Sequence, residues 1–168
     1  MKKLARLTAL LLTGALLLVL TACGAETEQQ AKQRLLDEIN SYRASIHLDQ
    51  LEEVKQLSAA EQELIEHFRA AGKTVLPKSE ADKAIESWTS KTKGWLSDMD
   101  FGYDWVREDN ESIYFLNAKV PANTPEGKAE LLTALKDSSV FNDKDYTSIG
   151  IAVVTIDGQM YWTCAVYY

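Results

Sequence analysis

Cysteine, histidine and clustered basic residues are scarce in this 168-residue chain, and each scarcity narrows what it can do. There are two cysteines, Cys23 and Cys164, and no paired-cysteine metal site. With only His47 and His67 available, a histidine-rich centre has no material to be built from. Basic residues number 18 against 25 acidic, and no Lys/Arg cluster could track a phosphate backbone, which excludes nucleic acid as a partner. There is no glycine-rich phosphate loop and no Gly-x-Ser-x-Gly elbow. Proline occurs three times, so few elements are interrupted by it.

The amino terminus is well marked. Lys2, Lys3 and Arg6 precede an apolar run from Leu7 to Leu20, short for a membrane span and ending in small residues, as an export signal does. The sequence Leu20-Thr21-Ala22-Cys23 resembles the lipobox of bacterial lipoproteins, which implies cleavage after residue 22 and acylation of Cys23. Two or three acyl chains there are enough for stable attachment. The expected location is extracytoplasmic, anchored to the cell membrane by lipid. Removing residues 1–22 leaves 146 residues with 15 basic and 25 acidic side chains, a net charge of −10. That length suits one domain with a single core. With Cys23 lipidated, Cys164 is the only thiol left, and its apolar neighbours make it a small buried hydrophobe.

Residues 23–32 are polar and acidic, and are expected to form a lipidated cysteine followed by a flexible tether, with the folded domain spanning 33–168. Leu35, Leu36, Ile39, Tyr42 and Ile46 recur at helical spacing, which predicts a first amphipathic helix over 33–46. A second helix is expected from about Glu52 to Ala71 with Gly72 as its stop. A third should open at Ser79 as N-cap and close near Gly94. Phe101, Tyr103 and Trp105 alternate as in a short strand, and 111–120 reads as a better one. Thr124-Pro125-Glu126 opens a fourth helix.

The last quarter is the clearest. Ile149, Ile151 and Val153 alternate with small residues, Asp157-Gly158 interrupts, and Met160 to Tyr168 resumes as an aromatic and β-branched run. This pattern predicts a central β-hairpin with a primed turn, covered by the upstream helices. The fold class expected is α+β.

Several segments, taken in order, resemble the bacterial SCP-like branch of the CAP superfamily (cysteine-rich secretory, antigen 5 and pathogenesis-related proteins). Asn40-Ser41-Tyr42-Arg43 is similar to its Asn-x-x-Arg. Leu51 and Leu57 to Gln62 are similar to its second helix, and Asn110-Glu111-Ser112-Ile113 to its Gly-Glu-Asn-Ile. Asn142, Asp145 to Ile151 and Tyr161-Trp162-Thr163 resemble its Tyr-Thr-x-Ile-Gly and Tyr-Trp-Thr ending. The resemblance implies an α-β-α sandwich around a small antiparallel sheet that ends in the C-terminal hairpin.

It also implies a cleft, here through Glu111, Lys136 and Tyr146, with two family histidines missing: one position falls between Gly72 and Pro77, and the other near Lys136. No metal or other cofactor is therefore expected. The function expected is a binding or interaction module of the cell envelope, taking an apolar ligand, an envelope component or a protein. The alternatives are an envelope hydrolase using Glu111 as general base, and a non-CAP α+β lipoprotein acting as inhibitor or assembly factor. Glu61, Glu63 and Glu66 read as a solvated acidic face, and most of Trp88, Trp95, Trp105 and Trp162 as core, the other reading being that they line a ligand groove with the tyrosines.

Overall fold

The computed structural model describes residues 26–95, 97–108 and 111–168. Cys23 and the segment before it lie outside the described residues. In chain order the elements are α1 (Glu28–Ser45), β1 (Glu52–Glu53), α2 (Lys55–Ala71), β2 (Val75–Leu76), α3 (Lys78–Lys91), β3 (Ser97–Phe101), β4 (Tyr103–Glu108), β5 (Glu111–Leu116), α4 (Pro125–Asp137), β6 (Ser148–Ile156) and β7 (Gln159–Tyr167).

The expected hairpin is present. Strands β6 and β7 pair antiparallel from Ser148↔Tyr167 to Ile156↔Gln159, around a turn with positive φ at both Asp157 (49°) and Gly158 (77°). They are the two central strands of a four-stranded sheet of order β1-β6-β7-β3. Alternation then divides the hairpin into two faces. Ile149, Ile151, Val153, Trp162, Cys164 and Val166 pack on α1 and α4 through Leu35, Ile39, Leu131 and Leu135. Ala152, Val154 and Ile156 pack on α2 and α3 through Leu64, Ile65, Phe68 and Ala81, with Leu57 against Ala165 and Tyr167 beside them. The fold is thus an α-β-α sandwich of the α+β class. Each large aliphatic side chain buried this way contributes about 1.5–3 kcal/mol.

The α2 face is lined by small residues for a reason. A Cβ on Gly150 would lie 2.7 Å from the backbone of Leu57, so α2 sits directly on the strand. A second sheet, β2-β5-β4, joins this side of the molecule, with Leu76, Tyr103 and Leu116 buried beside Ile156.

The structure differs from several sequence expectations. Helix α1 begins at Glu28, inside the segment expected to be a tether. Thr27 and Gln30 form a reciprocal capping box, and Ala31 is fully buried. Glu52 and Glu53 do not start α2. They pair with Ser148 and Ile149 as a parallel two-residue strand. Pro77 caps α3 without a side-chain bond, so Ser79 lies inside the helix, which ends at Lys91 rather than Gly94. The single short strand expected around 101–105 is two strands, broken at Gly102. Its φ of 107° and close approach to the Trp162 carbonyl leave no room for a side chain.

The acidic face expected at Glu61, Glu63 and Glu66 meets solvent at Glu63 and Glu66 but not at Glu61. Glu61 is fully buried and accepts hydrogen bonds from Trp88 Nε1 (2.7 Å) and Thr163 Oγ1 (3.1 Å), while Glu63 pairs with Lys91 and Glu66 with Arg69. Position 61 falls four residues from both Leu57 and Ile65, on the buried stripe of α2. Trp162 is core, stacked at a tilt on Phe101 (4.8 Å), and Trp95 meets Tyr167 edge-on.

Candidate functional site

Two polar assemblies tie α1 to the rest of the fold. The first is at its C-terminal end. Asn40 bonds the backbone of Leu51 both ways, its Nδ2 donating to the carbonyl (3.1 Å) and its Oδ1 accepting from the amide (2.8 Å). Arg43 has no exposed surface, and its guanidinium donates to the carbonyls of Asp49, Phe141, Asp143 and Tyr146 at 2.7–3.1 Å. Burial pulls its pKa down, with Asp49 and Asp143 opposing the shift. Tyr42 donates its hydroxyl proton to Asn142 Oδ1. The Nδ2 of Asn142 in turn donates to the carbonyls of Leu135, Lys136 and Ser138. Four hydrogen bonds donated by Tyr42 and Arg43 of α1 thereby fix the loop that feeds β6.

Lys136 and Tyr146 both touch this assembly, through their backbone carbonyls. The Lys136 side chain is exposed and Tyr146 is buried against Tyr168. Glu111 is placed elsewhere: it opens β5 opposite Glu108, in the three-stranded sheet. Neither Lys136 nor Tyr146 lines any of the four clefts described here.

The second assembly is at the N-terminal end of α1 and surrounds the largest of these clefts, about 790 Å³, lined by Glu28, Lys32, Glu53, Ser58, Gln62 and Val153 among others. This volume is in the range of ligand-binding sites, about 300–1,000 Å³. Strand β6 explains the opening. On one side it pairs with β7 along its whole length, but on the other β1 accompanies it only to Ile149 before the chain turns into α2.

From Ile151 onward, side chains stand where a neighbouring strand would be. Ser58 Oγ accepts from the Ile151 amide (3.1 Å). Gln62 Nε2 reaches the Val153 carbonyl (3.4 Å). Glu28 Oε1 accepts from the Thr155 amide (2.7 Å).

Two ion pairs bridge α1 to the α2 side across the cleft, Lys32–Glu53 (2.5 Å) at the Ser58 end and Glu28–Arg69 (2.9 Å) at the other. Burial pushes the Glu53 carboxyl upward, but hydrogen bonds from Lys32 and Ser58 outweigh it and hold the group below the usual carboxylate range. Glu28 behaves alike, with burial opposed by the Thr155 amide and Arg69. A carboxylate so stabilised is a poor general base. The chemistry this cleft offers is hydrogen bonding, in the geometry of a strand edge.

The remaining clefts are simpler. A groove of about 450 Å³ between α1 and α4 is lined by Tyr42, Pro125, Leu131, Leu132 and Leu135, with Leu132 39% exposed. Among the described residues no three His, Cys, Asp or Glu side chains converge as a metal site, and no helix is long and apolar enough to cross a membrane. His47 follows α1 with a positive φ (64°), and His67 lies on α2. Cys164 is buried and free.

Sequence reasoning missed Thr27, Glu28, Lys32, Ser58 and Gln62. Thr27-x-x-Gln30 is a capping-box signature that marks where α1 starts. Ser58 and Gln62, four apart on a helix with an apolar stripe, mark a polar flank that faces protein rather than water. A comparison with protein-family models gave no match, and a comparison with curated proteins gave none.

Proposed function

We propose that this chain is a lipid-anchored extracytoplasmic binding module of the bacterial envelope, built on a CAP-like domain and held at the membrane through Cys23. The binding part rests on one observation: the largest described cleft is lined by polar groups that are paired with one another on a rigid core, with no nucleophile and base poised in it. Ser58 Oγ does donate to Glu53 (2.7 Å), but it also accepts from the Ile151 amide, and Glu53 is pinned by Lys32. The CAP-like part is supported by Tyr42, Arg43 and Asn142, which meet around the loop before β6.

The anchor carries a geometric consequence. Three residues separate Cys23 from the Thr27 cap, so the start of α1 lies within about 14 Å of the acylated residue at full extension. The cleft rim at Thr27 and Glu28 would then open close to the bilayer surface.

The test is metabolic labelling of the full chain with an alkyne fatty acid, beside Cys23→Ser, followed by native mass spectrometry of the purified protein. Label in the wild type alone, together with a co-purified ligand, is the expected result. Equal labelling of both proteins, or none in either, removes the anchor, and a cleft that binds nothing supplied from the envelope removes the binding role.

A further inference from the structure

We infer that the cleft between α1 and α2 takes an extended polypeptide segment, added as a strand along the side of β6 that β1 leaves unpaired, in place of the side chains that now cap it; this names the ligand class of the binding role proposed above and rests on it. The geometry points to a backbone rather than to any other ligand. Ile151, Val153 and Thr155 are two residues apart, the spacing at which a strand presents its amide and carbonyl groups to one side. Along that row, Ser58 accepts, Gln62 donates and Glu28 accepts. This is the set of groups that a neighbouring strand's backbone supplies, so exchanging side chain for peptide leaves the number of hydrogen bonds unchanged. Adding a strand to an exposed sheet edge is an established mode of peptide capture.

The slot has the dimensions for it. From Ile151 to Thr155 the edge runs about 13 Å, and the cleft between α1 and α2 reaches it at Val153, the middle of the row. The placeholders are differently held. Gln62 is the loosest, at 3.4 Å from Val153 and shared with Glu66 (2.9 Å), which leaves the middle of the row easiest to displace.

Each end of the slot carries its own ion pair, Lys32–Glu53 and Glu28–Arg69, and Lys55 adds a further cation to the lining. A phosphate headgroup or an acidic polymer could meet that charge but has no row of backbone donors and acceptors to match β6. Ala59 is exposed, lines the slot, and adds no bulk to it.

The test selects a phage library of random linear peptides on the full lipoprotein in nanodiscs, with counter-selection on Ala59→Trp, which fills the slot. Synthetic copies of the enriched peptides are then N-methylated one backbone position at a time. Binding should fall roughly fivefold to tenfold at alternate positions, those whose amides face β6, and hold at the positions between. That period of two is read on the wild type, so it stands even if Ala59→Trp fails to fold. The same peptides should bind Cys23→Ser protein in detergent equally well, which separates this inference from the anchor. Absence of enrichment over Ala59→Trp, or binding indifferent to every N-methyl group, overturns it.

Discussion

The two ends of α1 solve the same problem in opposite ways. At the C-terminal end Arg43 and Asn142 are saturated by backbone carbonyls, and Arg43 has no exposed surface. At the N-terminal end Glu28, Lys32 and Glu53 are partly exposed, bonded mainly to other side chains, and arranged around empty space. A buried guanidinium bonded to four carbonyls has no alternative partner and can only hold the fold. Part-exposed ion pairs are held less firmly than a fully buried, carbonyl-bonded guanidinium, which is what a site needs if a ligand is to enter. One helix thus has a fixed end and an adaptable end.

The largest expected effect tests the fixed end. Arg43→Ala strands the carbonyls of Asp49, Phe141, Asp143 and Tyr146, and should cost about 3–5 kcal/mol in chemical denaturation, enough to leave the purified protein partly unfolded. Asn142→Ala removes the acceptor of Tyr42 and a donor to three carbonyls, and should cost about 2 kcal/mol. Little change for either variant would mean that the loop before β6 holds itself, and the contrast between the ends would fail.

Ser58→Ala probes the adaptable end. It leaves the Ile151 amide without its acceptor at a site only 5% exposed, at a cost of about 1–2 kcal/mol. Amide exchange at Ile151 should quicken with it. A variant with unchanged stability and unchanged protection at Ile151 would show that Ser58 is not closing the edge.

How far each end was legible from sequence follows from the same contrast. The hairpin, Gly72 as a helix stop and the Thr124 cap depend on local chemistry, and the residues declare them. Asn40, Tyr42 and Arg43 were legible as a pattern, but the bonding of Tyr42 and Arg43 to a loop about a hundred residues away was not. The cleft was least legible, because it exists where β1 stops after two residues. Glu52-Glu53 carries no strand signal: two glutamates between Leu51 and Val54 pair with β6 only because tertiary contacts override propensity. Glu61 was misread for a related reason. Charge suggested solvent, whereas its helical position set it against Trp88 and Thr163.

Acid gives the smallest effect and the sharpest version of the comparison. Glu53 and Glu28 have folded-state pKa values below the ordinary 4.5, so each binds its proton more weakly in the fold than in the unfolded chain. Their contribution is present above about pH 4.5 and is lost as pH falls through the folded values. Arg43 keeps its charge throughout that window, so its carbonyl contacts should not respond. Amide exchange followed from about pH 5 to about pH 3, normalised for intrinsic rates, should show protection falling at Ile151 and Thr155 while Leu51 holds. Glu53→Gln keeps an acceptor for Ser58 but removes the titration, and should flatten the response at Ile151 alone. Equal loss at Ile151 and Leu51 would mean that α1 detaches as one unit, and that its two ends are not mechanically distinct.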